Sequence, residues 1–315
     1  MMSIDCKWRA GAATDCGLVR AENQDRSWVD EERGVFLVVD GLGGHAAGEK
    51  AAETAVEVIR AELLKDQGGL EQRIRNAITA ANNRICDLAS ENAAWSGMAC
   101  VLTLAVMDGE RVVVGHVGDS RLYLVWNGVL RKITADHSPV GEREDCGELT
   151  EEQAMSHPRR HEVFRDVGSR RREPDQDEFI EIKEFLFKPD AALLLCSDGL
   201  SDQLTSEAMV EIIERYDHDP EAVARSLVEA ANAAGGADNV TAIFVAGSEF
   251  AGILSPAMSG ARARHRITRD RSESVVTAAA TPAGVSRAVR VMTCRTAFLI
   301  YGFILGVVLA LALRS

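Results

Sequence analysis

Asp40 closes the apolar run Phe36-Leu37-Val38-Val39, Asp119 follows the run from Val112 to Gly118, and Asp198 follows Leu193-Leu194-Leu195-Cys196-Ser197. Asp238 immediately precedes the run from Asn239 to Val245, and Asp25 ends the segment Glu22-Asn23-Gln24-Asp25. A carboxylate at the end of a buried strand is costly unless something cationic meets it. Singly, each such Asp beside Gly or Ser reads as a turn former whose side chain bonds the backbone two residues on. Together they read differently, because strand ends on one rim of a sandwich converge in space, and converging carboxylates repel unless cations neutralise them. The donors are oxygens, with no Cys or His at metal-ligand spacing, so the matching ions are hard and divalent, magnesium or manganese. His45, after Gly43-Gly44, would be an ordinary loop histidine alone; beside these acids it is a candidate general acid.

The elements that must position these residues alternate as blocks of strands and paired helices. A strand at 34–40 precedes a helix at 47–65 with Ala52, Ala55, Val56, Ile59 and Leu63 at helical spacing, and a second helix near 70–91 repeats the pattern from Ile74 to Leu88. Asp108-Gly109 and Asn127-Gly128 each separate two β-rich runs, predicting a meander of hairpins. A polar helical region near 150–165, a strand at 192–197, helices near 205–216 and 219–233, and a last strand at 240–246 complete the reading. Antiparallel strands with segregated helix pairs make an α+β protein, a central antiparallel β-sandwich flanked by helix pairs in α-β-β-α order.

The 315 residues, 46% of them hydrophobic, suffice for one large domain at 1–248. The formal charge of −13 is unevenly divided: residues 250–315 carry +7 and the rest −20. So acidic a body repels nucleic acid, whereas an arginine-bearing tail suits an anionic membrane surface. Seven scattered cysteines without a C-x-x-C pair signal neither a disulfide framework nor a zinc site, and they suit a reducing compartment. None lies in a C-x5-R phosphate loop, which argues against a cysteine phosphatase. The N-terminal segment lacks a signal-peptide core. Thr296–Leu313 carries no charge in 18 residues; as a helix it would span about 27 Å of the roughly 30 Å hydrocarbon layer. We expect a single-pass anchor at 294–315, a flexible basic linker at 249–293 reaching about 35 to 40 Å, and, from Arg287, Arg290 and Arg295, a cytoplasmic catalytic domain at the membrane. Gly302 and Gly306 have helix-pairing spacing that chance produces as readily, leaving the oligomeric state open.

In order and rough spacing, TDCGLVRAENQD (14–25), VVDGLGGHAAGE (38–49), GHVGDSRLYLV (115–125), ITADHSPV (133–140), LLLCSDGLSD (193–202) and GGADNVTAIFV (235–245) resemble the bacterial-type metal-dependent protein serine/threonine phosphatases, the type 2C or PPM family. The resemblance covers roughly residues 8–247. It implies two core ions, magnesium or manganese, with Asp40 bridging both, the Gly41 carbonyl on one, and Asp198 and Asp238 on the other. It places Asp25 in an outer shell or on a metal-held water, and Asp119 on a third, looser ion. Arg20 would hold the substrate phosphate and Asn239 would support Asp238. The implied activity is hydrolysis of phosphoserine and phosphothreonine in proteins modified by a serine/threonine kinase. Two departures stand out: Gln24 where Glu is commoner, and Ser96-Gly97-Met98-Ala99 where a Met-Gly-Thr-Thr run is usual. Gly168 to Asp177 falls where the family has a variable flap, and its Arg170, Arg171 and Arg172 suit acidic substrates or plain solvation. A phosphoprotein-binding module without catalysis, and a hydrolase of small phosphate esters or lipid phosphates, are the competing classes.

Overall fold

A computed structural model of the chain describes residues 8–44, 46–65, 68–176 and 178–252. Among these residues ten strands form two antiparallel sheets. The first runs β1 (Trp8–Asp15), β10 (Val240–Gly247), β9 (Ala192–Cys196), β6 (Arg121–Trp126), β7 (Val129–Lys132) in spatial order. The second runs β2 (Arg26–Asp30), β3 (Val35–Leu42), β4 (Ala99–Asp108), β5 (Arg111–Val117), β8 (Glu181–Leu186). Helices α1 (Ala46–Leu63) and α2 (Leu70–Glu91) cover the second sheet, while α6 (Ser206–Ile213) and α7 (Pro220–Ala233) cover the first.

The side-chain period of two along each strand builds three apolar layers. Val35, Leu37 and Val39 of β3 pack with Ile59, Ile78 and Ile85 of the helix pair, whereas Phe36 and Val38 join Leu193, Leu195, Ile243 and Val245 between the sheets. On the far side Leu194, Cys196, Ala242 and Phe244 meet Met209, Leu227 and Val228. Strands buried on both faces therefore read as continuous apolar runs. Continuing the alternation, Asp40 falls on the inter-sheet face, at the rim where β3 runs out of core.

The expected helices and strands are found, with two differences. The meander is interrupted: β4 and β5 pair in one sheet, β6 and β7 in the other. The chain crosses between sheets at Gly118, whose φ is +109° and whose added Cβ would lie 2.2 Å from the Val101 side chain. Only glycine fits there, and Asp119 is delivered to the rim at the next position. The helix expected near 150–165 is limited to α4 (Glu151–Met155), preceded by α3 (Pro139–Asp145) and followed by turns. Thr150 and Gln153 close a capping box at its start, and Pro158 turns His157 away from helical geometry. Among the described residues no helix is long and apolar enough to cross a membrane. Thr296–Leu313 and nearly all of the 249–293 segment lie outside the described residues.

Candidate metal centre

One rim of the sandwich opens into a cleft of about 480 Å³ whose lining includes Arg20, Asp40, Gly41, Asp119, His161, Asp198, Asp238 and Asn239. Each arrives on a different support. Asp40 and Gly41 end β3, where an added Gly41 Cβ would meet the Gly48 carbonyl at 2.2 Å, so α1 packs directly against this backbone. Asp198 opens the short helix α5 (Asp198–Ser201) as β9 runs out. Asp238 sits just before β10, with its Oδ1 accepting from the Asn239 backbone N–H at 2.8 Å.

Asp25 lies behind this lining, 2% exposed. Its Oδ2 accepts from Ser197 Oγ at 2.7 Å, and Ser197 Oγ in turn accepts from the Thr241 N–H at 2.9 Å. Asn239 ties the loop of residues 16–24 to the rim: its Nδ2 donates to the carbonyls of Cys16 and Glu22, and its Oδ1 accepts from the Gln24 N–H. Arg20 reaches over the rim, Nη2 donating to Asp238 Oδ2 at 2.7 Å, with 54% of its side chain exposed.

Electrostatically the arrangement is strained. Burial, partly opposed by hydrogen bonds from Thr241 and Ser197, pushes Asp25 up to about 7, and the charges of Asp198 and Asp238 add to the rise. Burial, then repulsion from Asp25, Asp198, Asp119 and Asp238, raises Asp40 well above the ordinary carboxylate range. Asp119 rises for the same reasons, with Asp198, Asp136 and Asp202 as its repelling neighbours. Two buried carboxylate oxygens, Asp25 Oδ1 and Asp198 Oδ1, accept no hydrogen bond from the described residues. Oxygen donors in excess, mutually repelling and partly unpartnered, are the chemistry that hard divalent cations complete.

Similarity to known proteins bears on this centre. Residues 19–231 match the family model described as Protein phosphatase 2C. The chain belongs to the protein phosphatase 2C family. It is 35% identical over 242 residues to the serine/threonine phosphatase stp of Listeria monocytogenes, covering 74% of this chain and 93% of that one. The crystal structure of the Mycobacterium tuberculosis serine/threonine phosphatase PstP/Ppp superposes with a TM-score of 0.68 at 33% identity, covering 76% of this chain and 98% of that one. A structure of the PstP catalytic domain in complex with two manganese ions gives a TM-score of 0.66 at 31% identity, over 76% of this chain and 97% of that one. The α+β fold with antiparallel sheets and helices matches these phosphatase structures.

Within this family fold, Arg20, Asp40, Gly41, Asp119, Asp198 and Asp238 line one cleft, and Asp25 lies beneath it. His45 lies outside the described residues. Arg172 is buried, stacked over Phe179 with its backbone bound to Asn83, so it does not front the cleft. Arg171 pairs with Asp87. Four residues at the centre carry no sequence signal of their role. Ser197 and Thr241 anchor Asp25, though alternation alone puts both on the inter-sheet face. Asp202, four residues after Asp198 and hence on the same side of one helical turn, is pushed up to about 7 by burial and then by Asp198. His161 comes within 3.7 Å of Asp198 and of Asp202, so the donor set at the cleft includes a nitrogen after all.

Proposed function

We propose that the chain is a metal-dependent protein serine/threonine phosphatase of the type 2C family, acting on phosphoserine and phosphothreonine proteins and tethered to the membrane by Thr296–Leu313 with its catalytic domain in the cytoplasm. The observation that carries this reading is the convergence of Asp40, Asp119, Asp198 and Asp238, from four separate strand ends, on one cleft with Arg20 at its rim. Among the described lining residues Arg20 is the one fixed cation, so this acidic lining repels a phosphate dianion until divalent ions neutralise it.

Asp40, the Gly41 carbonyl, Asp198 and Asp238 would hold two ions, magnesium or manganese, and Asp119 would hold a third. When bound, such ions supply a water acidic enough to be a nucleophile near neutral pH, and positive charge facing the phosphoryl oxygens. Asp25, held by Ser197 and Thr241, would accept from water on the inner side of the centre. Arg20 spends one N–H group on Asp238 and keeps the others for the phosphate, where a planar guanidinium offers paired donors. Asp238 thereby aims the residue that positions the substrate. His45 is the candidate proton donor to the departing seryl or threonyl oxygen.

The test is manganese-dependent phosphate release from a phosphothreonine peptide, compared with lipid phosphates. Release from the peptide that is lost in Asp40→Asn and on chelation supports the reading. Turnover unchanged by chelation or by Asp40→Asn overturns it.

A further inference from the structure

The 156–168 segment brings a nitrogen donor to the carboxylate cleft. One donor atom each from His161, Asp198 and Asp238 lies within 4.8 Å of the other two, on three separate parts of the fold: the segment after α4, the start of α5, and the turn before β10. His161 Nδ1 stands 3.7 Å from Asp198 Oδ2, which is too long for a hydrogen bond. It is close to the spacing of two donors on one ion, because metal–ligand bonds of about 2.1 Å put neighbouring donors about 3 Å apart and opposed ones about 4 Å apart. Asp198 also carries a buried Oδ1 with no hydrogen-bond partner among the described residues.

His161 is held where it is. On one side Arg160 Nε donates to Asp202 Oδ2 at 3.0 Å. On the other, the Phe164 N–H donates to the His137 carbonyl at 2.9 Å, and Arg165 Nη1 lies 3.2 Å from His137 Nε2. The imidazole itself is half exposed, so it is not packed there as core.

We propose that His161 is a ligand of the metal centre, completing an N,O,O set with Asp198 and Asp238, and that this ligand tilts the centre toward transition ions over magnesium. The inference rests on the reading that Asp198 and Asp238 hold a divalent ion. Imidazole binds manganese and zinc more readily than magnesium, which favours oxygen donors and retains its waters. The same bond would pin the 156–168 segment to the rim.

The decisive experiment is pulsed electron paramagnetic resonance of Mn2+ bound to the full chain, in wild type and His161→Asn, with metal stoichiometry measured alongside. Wild type is expected to show nitrogen hyperfine coupling to bound manganese, and His161→Asn to lose it while still binding manganese. The magnesium concentration that displaces half the manganese should fall about tenfold or more in the variant, the usual scale for a lost metal ligand or its support. Manganese bound in both proteins without nitrogen coupling, or with coupling that survives in His161→Asn, overturns the proposal and leaves the carboxylate centre standing. No manganese bound to either protein overturns the centre itself. An unchanged melting temperature of the metal-free variant verifies that it is folded.

Discussion

Replacing Asp25 by Asn should stabilise the metal-free protein while weakening its hold on metal. Asp25 is fully buried, and its carboxyl is raised from 3.8 to about 7. A folded-state value above the unfolded one favours the protonated form, so the contribution is intact below pH 4 and is lost as pH rises through 7. Converting the shift gives an upper bound of about 4 kcal/mol lost by pH 8, against under about 2 kcal/mol at pH 5. Asn is neutral at every pH, nearly isosteric, and still accepts from Ser197 Oγ through its side-chain oxygen. In chelator, urea denaturation of Asp25→Asn should therefore show higher stability than wild type at pH 8, with a gap that shrinks toward pH 5. Saturating manganese should reverse the order, because a ligand that binds only the folded state adds stability according to its affinity. A variant no more stable than wild type at pH 8 in chelator, or a gap independent of pH, would refute the claim that a buried, repelled carboxylate at Asp25 costs the metal-free fold stability.

Arg20→Ala should lower kcat/KM for a phosphothreonine peptide about 10- to 100-fold, mainly through KM, since a charge-assisted contact to phosphate is lost; an unchanged KM contradicts its phosphate role. Gly118→Ala should destabilise the fold by about 2 kcal/mol or more through positive φ and the Val101 contact, and displace Asp119; a neutral result in urea denaturation would contradict the crossing geometry. Burial, with the nearby charges of His116, Arg165 and Lys183, lowers His137 to about 2, so this group favours folding above pH 6.5 and the benefit is lost as pH falls below it. In saturating manganese, His137→Gln should remove about 1.4 kcal/mol of the stability loss between pH 7.5 and 5.5, and an unchanged pH slope would contradict this.

The parts of the fold legible in the sequence are those with local causes. Asn127-Gly128 adopts positive φ at both positions and Gly109 at one, so the two hairpins are written in their turns. The helices 70–91 and 219–233 follow from apolar spacing, and Asp219 caps the second. The strands at 8–15, 26–30 and 181–186 are not legible in this way. β1 is Ala-rich and pairs with β10 across the whole domain, β2 is half-buried throughout, and β8 is a partly exposed edge, so none shows a clean alternation. The cleft acids are legible because each interrupts or borders an apolar run. His161 is not: it lies in a charged, turn-rich segment, and only the fold brings it beside Asp198.

The aspartates that the fold gathers at one cleft make a working centre by holding divalent cations. Calorimetric titration of chelator-stripped protein with Mn2+ tests it most directly. Two or more ions per chain are expected in wild type, with the loss of tight binding in Asp40→Asn. No tight binding in wild type, or the same stoichiometry and affinity in Asp40→Asn, would contradict it.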